Sequence, residues 1–221
     1  MYPKKLEKHL LKVQKPGRYT GGELNSVVKD KSKVDIRYAF CFPDTYEIGM
    51  SHLGMKILYS LVNAREDAWC ERVFAPWTDM EKVMRDNGIL LYGLESGDEI
   101  RDFDILGFTM QYELSYTNVL NMLDLAGLPV RSKDRTSLTP IVIAGGACVC
   151  NAEPIADFVD ITLPGDGEEV TNELIDLLKE YKAKGYSKKE FLRACADIEG
   201  VYVPSLYKVT YKSDGTIEHN D

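Results

Sequence analysis

Apolar positions along the chain fall into two rhythms. Val34–Phe42, Glu71–Ala75, Asp104–Thr109, Ile141–Ala144 and Phe158–Leu163 are short apolar-rich runs bounded by polar or turn residues, and they predict buried strands. Between them, apolar residues recur at helical spacing. Leu53, Ile57, Leu58 and Leu61 mark a helix over 49–63, and Asp79–Asn87 predicts another, ended by Gly88. Val119, Leu120, Leu123 and Ala126 line one face of the next, which stops at Gly127, with Pro129 beyond. Val170, Leu174, Leu177, Leu178 and Tyr181 form a stripe on a helix ending near Gly185. Ser187, with Glu190 three residues on, predicts a capping box for a last short helix to Ala196. Ile89–Leu94 reads as an extra strand, and Val201–Val203 and Tyr207–Tyr211 as short strands, with Asp214-Gly215 as a hairpin turn.

Strands alternating with helices predict an α/β domain, a doubly wound parallel sheet of five or six strands with helices on both faces. The expected boundaries are an arm laid over the core (1–33), the α/β domain proper (34–185) and a C-terminal helix with short strands (186–221). Leu6, Leu10, Leu11 and Val13 give the arm a short amphipathic helix before the breakers Pro16-Gly17 and Gly21-Gly22.

Composition narrows the class. The chain has 221 residues, 44% hydrophobic and 28% charged, with 27 Lys+Arg against 35 Asp+Glu for a net charge of −8. This is globular composition with room for a sizeable core. The acidic balance argues against broad nucleic-acid binding. With no span-length apolar run and no signal-type leader, the expected compartment is the cytoplasm. The five cysteines, Cys41, Cys70, Cys148, Cys150 and Cys195, are odd in number and scattered, which argues against a disulfide framework. No CxxC or CxxxCxxC is present, so no local zinc or iron–sulfur cassette can be drawn. Trp69 and Trp77 read as packing anchors, and Arg18, Arg72, Arg131 and Arg135 as the basic residues best placed to flank a site. No general acid or nucleophile stands out.

In sheets of this kind a ligand sits beyond the carboxyl ends of the strands, so the informative residues follow each strand. After the first comes a long loop, Phe42 to Gly54, with Asp44, Tyr46, Glu47 and His52 beside three breaking residues. After the third central run, Thr109, Gln111, Ser115 and Thr117 surround a helix start, whose amides suit a polar ligand edge or plain capping. Gly145-Gly146 permits close approach of a ligand or another backbone. The turn Pro164-Gly165-Asp166-Gly167-Glu168-Glu169 is acidic, which rejects a phosphate loop there, and neither a Walker nor a dinucleotide fingerprint occurs.

Together these strand ends resemble the cobalamin-binding domain that precedes the catalytic domain in many radical S-adenosylmethionine proteins. Such folds of the methionine-synthase type carry Asp-x-His-x-x-Gly, Ser-x-Leu and Gly-Gly after successive strands. Here the counterparts are Asp44-Thr45-Tyr46-Glu47-Ile48-Gly49, Thr109-Met110-Gln111 and Gly145-Gly146. PGRYTGGE, FPDTYEIGMSHLGMKILY, ERVFAPWTDME, FDILGFTMQYELSYTNVLNMLDLAG and GVYVPSLY extend the likeness over 15–210, to an uncharacterised bacterial family of cobalamin-binding radical S-adenosylmethionine proteins.

The resemblance implies a flavodoxin-like, Rossmann-like fold and a cobalamin tail entering between the Thr109 and Gly145 strand ends. It implies Asp44, Tyr46, Gly49, Thr109, Gln111, Ser115, Gly145, Gly146 and Gly165 as cofactor-binding residues, with cobalt near Tyr46. Tyr46 stands where the axial His would, so the implied binding is His-off, and His52 does not fit the motif. The cluster-binding cysteine triplet is missing. The chain thus reads as an accessory domain, with the C-terminal radical S-adenosylmethionine domain as its partner. S-adenosylmethionine and the [4Fe–4S] cluster are then expected only in the full-length protein. Two alternatives stand beside this: a degenerate cobalamin-fold scaffold whose cleft is filled by Tyr46, Met110 or Gln111, and a free-standing receiver-like or flavodoxin-like binding domain.

Overall fold

The structure is a computed structural model and describes residues 2–220. Five parallel strands form the central sheet: β1 (Ile36–Phe42), β2 (Ala68–Phe74), β3 (Ile105–Thr109), β4 (Ile141–Gly145) and β5 (Ile161–Leu163), in the order β2-β1-β3-β4-β5. Each strand is almost wholly buried, as expected of a parallel sheet covered on both faces. The order reverses between β1 and β3, which makes that junction the topological switch point.

Among the described residues six α-helices surround the sheet: α1 (Tyr46–Ser51), α2 (Leu53–Asn63), α3 (Thr78–Asn87), α4 (Tyr116–Leu125), α5 (Glu168–Lys184) and α6 (Lys188–Cys195). α2 packs on β2 and against α5. On α3 and α4, Arg85 bridges to Asp124 at 2.7 Å and Asn121 donates to Glu81 at 3.0 Å. The capping box at Ser187 forms as read, its hydroxyl accepting from Glu190 N and the Glu190 carboxylate accepting from Ser187 N. Among the described residues no helix is long and apolar enough to cross a membrane.

Several local readings differ from the structure, Val201–Val203 among them, which makes only a single bridge at Tyr202. The helix expected over 49–63 is two helices, broken at His52, whose backbone is extended (φ −80°, ψ 119°) and whose imidazole caps α2. Ile89–Leu94 is not a ladder strand. Leu94 N donates to Arg72 O at 3.0 Å, but Arg72 N donates instead to the Glu95 carboxylate at 2.8 Å, so a side chain closes the β2 edge where a sixth strand would pair. The amino-terminal helix is 3₁₀, over Lys4–Lys12, burying Leu6 and Leu10 and leaving Leu11 exposed.

The arm is tied down by named bonds. The Tyr92 hydroxyl donates to Tyr19 O at 2.8 Å, Trp77 N donates to the Tyr19 hydroxyl at 3.2 Å, and Lys29 Nζ donates to Asn63 O and Ala68 O. At the opposite edge Thr162 and Tyr202 exchange backbone bonds antiparallel to β5. The chain closes in the hairpin β6 (Val209–Tyr211) and β7 (Ile217–Asn220).

Candidate functional site

A cavity of about 180 Å³ opens at the carboxyl ends of β1, β3, β4 and β5, under α2 and the start of α5. Alternation along the strands builds it. Tyr38 and Phe40 of β1, Gly107 and Thr109 of β3, Ile143 and Gly145 of β4 and Leu163 of β5 share one face of the sheet and line the cavity.

Glycine makes the space. A Cβ at Gly107 would lie 2.6 Å from Tyr38 Cζ and closer still to its hydroxyl, so the missing side chain is what lets the phenol lie across β3. A Cβ at Gly145 would meet nothing within 4 Å and would project into the opening. Gly146 has φ +101°, and a Cβ there would crowd Met110 O and Gln111 Nε2, each at 2.8 Å. The two strand ends are locked together, with Met110 N donating to Gly145 O at 2.7 Å and Cys148 N to Met110 O at 3.0 Å. Gln111 Nε2 donates to Thr109 Oγ1 at 2.6 Å, which fixes both polar groups at the rim.

The mouth is polar on one side and apolar on the other. Asp166 and Glu168 line it from the acidic turn opening α5, with Gly165 and Gly167 between and before them. Across from them stand His52 and Gly54 at the start of α2. His52 Nδ1 accepts from Met55 N at 3.1 Å, so the proton of the neutral ring resides on Nε2. Beside these, Leu53 is 69% exposed, and Leu114, just past Gln111, is 83% exposed.

Thr109, Gln111, Gly145, Gly146 and Gly165, singled out from the sequence, therefore meet in one cavity. Asp44 in the loop after β1, Tyr46 and Gly49 in α1, and Ser115 in the 3₁₀ turn before α4 lie outside the cavity lining. Asp44 accepts from Thr45 N at 2.6 Å and from the Tyr112 hydroxyl at 3.2 Å. Tyr46 donates to Glu23 at 2.7 Å and packs edge-on against Phe74; burial and the Glu23 carboxylate push its phenol up to about 12. Gly49 lies so close under the Phe74 and Phe42 rings that a Cβ would overlap Phe74. Ser115 is buried and donates to Tyr112 O at 2.7 Å, holding the turn into α4. Met110 is fully buried in the core.

The four arginines are engaged elsewhere. Arg18 bridges to Glu47 at 2.9 Å, Arg72 to Glu23 at 2.7 Å and Glu95 at 2.6 Å, Arg131 to Asp157 at 2.7 Å, and Arg135 to Asp160 at 3.3 Å. Trp69 is buried and donates to Val27 O, whereas Trp77 is 47% exposed beneath the Arg18 guanidinium. Cys41, Cys70 and Cys195 are buried, Cys148 is half-buried and Cys150 exposed. Among the described residues no three His, Cys, Asp or Glu side chains gather as a metal site.

Sequence reading missed Tyr38, Gly107 and Thr171 as cavity residues, and it named His52 only as part of the loop after β1, outside the expected motif. The alternation of Tyr38 and Phe40 against a bare Gly107 was the available signal, but it becomes readable only once β1 and β3 are known to be neighbours.

A second, larger hollow of about 660 Å³ lies between the arm and α2, lined by Leu24, Met50, Met55, Tyr59 and Arg72 among others. It lies away from the switch point, and its guanidinium is already paired with Glu23 and Glu95.

Comparison with known proteins places these features. The chain is 27% identical over 173 residues to the uncharacterized protein MJ0966 of Methanocaldococcus jannaschii, a match covering 77% of this chain and 29% of that protein. The chain thus spans less than a third of the length of that curated relative. No solved structure matches. Residues 54–204 match the family described as radical SAM proteins, N-terminal. That span runs from the first turn of α2, through the cavity-bearing ends of β3, β4 and β5, to Pro204. The chain belongs to this family of N-terminal domains of radical SAM proteins.

Proposed function

We propose that this chain is a cobalamin-binding accessory domain of a radical SAM enzyme, and that the nucleotide tail of a cobamide inserts into the cavity over Gly107. The observation that carries this reading is the cavity itself. It opens at the switch point, above the Tyr38 ring that lies across Gly107, beside the strand end left open by Gly145. An apolar cavity of ~150 Å³ suffices for a benzene ring, so about 180 Å³ takes the inner six-membered ring of a bicyclic base, with its five-membered ring toward the mouth. The rest of the cofactor would lie outside, over the mouth.

The chain's own groups suit each part. Phe40, Ile143 and Leu163 would sandwich the base. Thr109 and Gln111 offer a hydroxyl and an amide to the sugar and phosphate, and Asp166 and Glu168 offer acceptors to the amide-bearing edge of the corrin. Exposed Leu53 and Leu114 would cover its apolar face. His52 is committed as the cap of α2: axial ligation through Nε2 would need the other tautomer and would cost the cap. This supports His-off binding. Bound cobalamin supplies organometallic and radical chemistry. In this reading S-adenosylmethionine and the [4Fe–4S] cluster belong to the radical SAM domain of the full-length protein.

The test is titration with hydroxocobalamin and methylcobalamin, followed by visible spectrum and co-elution on gel filtration. Gly145→Leu, whose Cβ meets nothing within 4 Å and whose side chain would occupy the opening, should leave the fold intact and abolish binding. A narrower reading, a scaffold without cofactor, draws on Tyr38 already occupying the floor. Failure of both corrinoids to co-elute at tens of micromolar would establish it over the first.

A further inference from the structure

The cavity floor carries a hydroxyl that no protein group engages. Tyr38 is 5% exposed and lines the cavity floor, and its hydroxyl makes no hydrogen bond among the described residues. The hydroxyl opens to the cavity rather than being sealed inside the protein, so it is an uncommitted donor facing whatever fills that space. Phenylalanine would line the same floor without a polar group, and Phe40, two residues on along the same face, does so. The hydroxyl is also held in place, since Gly107 is the bare position over which it lies. Burial raises the phenol far above its ordinary value, so the group remains a neutral donor.

The walls around it, Phe40, Ile143 and Leu163, are apolar. A flat ring pressed between them is read only along its inner edge, where Tyr38 waits. Cobamides differ in the base that ends their tail. A dimethylbenzimidazole presents a hydrocarbon inner edge, whereas the six-membered ring of a purine presents ring nitrogens.

We infer that Tyr38 is a specificity-determining residue, selecting a tail base whose inner edge carries a hydrogen-bond acceptor, a purine, over a benzimidazole. The inference rests on the cobamide reading of the cavity. A buried donor left unpaired by the benzimidazole and paired by the purine corresponds to roughly tenfold in affinity.

The experiment compares adeninyl cobamide with cobalamin on the 221-residue chain and on Tyr38→Phe, by spectral titration and thermal unfolding. The unaltered chain should bind the adeninyl form about tenfold more tightly. In Tyr38→Phe the preference should collapse to near unity while the free protein melts at an equal or higher temperature, because no hydrogen bond within the protein has been removed. Equal binding of both cobamides, unchanged by the substitution, overturns the assignment and leaves the cofactor reading standing. A lowered melting temperature in the free variant also overturns it, since the hydroxyl was then paired within the protein. Binding of neither cobamide overturns assignment and cofactor reading together.

Discussion

Asp160 offers the sharpest test of how the frame beneath the cavity is held. The carboxylate is fully buried at the start of β5. It accepts from Lys188 Nζ at 2.8 Å, Arg135 Nη2 at 3.3 Å, Val142 N at 2.8 Å and the Ser132 hydroxyl. Arg135 and Lys188 are themselves buried, so the cluster carries two positive charges and one negative, and Lys188 also donates to Arg135 O at 2.9 Å. Asp160→Asn preserves shape but raises the buried charge from +1 to +2 and turns an amide donor toward other donors. Breaking such a pair costs about 3–5 kcal/mol. Urea unfolding followed by circular dichroism should show that loss, and Lys188→Met in the same chain should recover part of it, because the excess charge is gone.

The pH dependence has a definite sign. Burial lowers the Lys188 ammonium below its ordinary value, with Asp160 opposing. Without Asp160 it falls further. The unfolded chain then binds more protons, so the variant should gain stability as pH rises through the lowered folded value toward the unfolded one. A loss below 1 kcal/mol, or strict additivity of the two substitutions, would refute this account. The cluster lies at the amino ends of β4 and β5, away from the cavity mouth, so cobamide affinity measured well below the unfolding midpoint should not change. Asp160→Asn is therefore the stability control for Gly145→Leu.

Two further outcomes are expected. Gly107→Ala forces Tyr38 off the floor and should cost about 1–3 kcal/mol by overpacking, with the two-site cycle against Tyr38→Ala showing that most of the cost vanishes when the ring is absent; an additive cycle would remove the contact from the argument. Asp67, held down to about 2 by hydrogen bonding to Arg65 and by Lys179, ties β2 to α5. Its folded value lies below the unfolded one, so the stabilisation is present above pH ~4 and lost on descent toward 2. After solvent screening this is about 1 kcal/mol, and acid unfolding curves of Asp67→Asn should lack that step.

Much of the architecture was legible from residue order because strand and helix periods are local. The buried runs at β1, β3 and β4, the stripe of α5 and the Ser187–Glu190 box all state their conformation within a few residues. Legibility failed where a side chain from elsewhere replaced the expected backbone partner. Glu95 takes the Arg72 amide, so Ile89–Leu94 never joins the ladder, and His52 caps α2, which splits one expected helix into two.

The candidate site divides in the same way. Sequence alone determined that polar and glycine residues follow each strand, because turn chemistry and strand ends are written locally, and so Thr109, Gln111, Gly145, Gly146 and Gly165 could be named in advance. Only the tertiary structure decided that Tyr46 turns to Glu23 and Phe74 and that Tyr38 lies bare over Gly107. Those outcomes depend on which strands are neighbours and on how the arm packs, and contacts of that range have no signature in the spacing of residues along one strand.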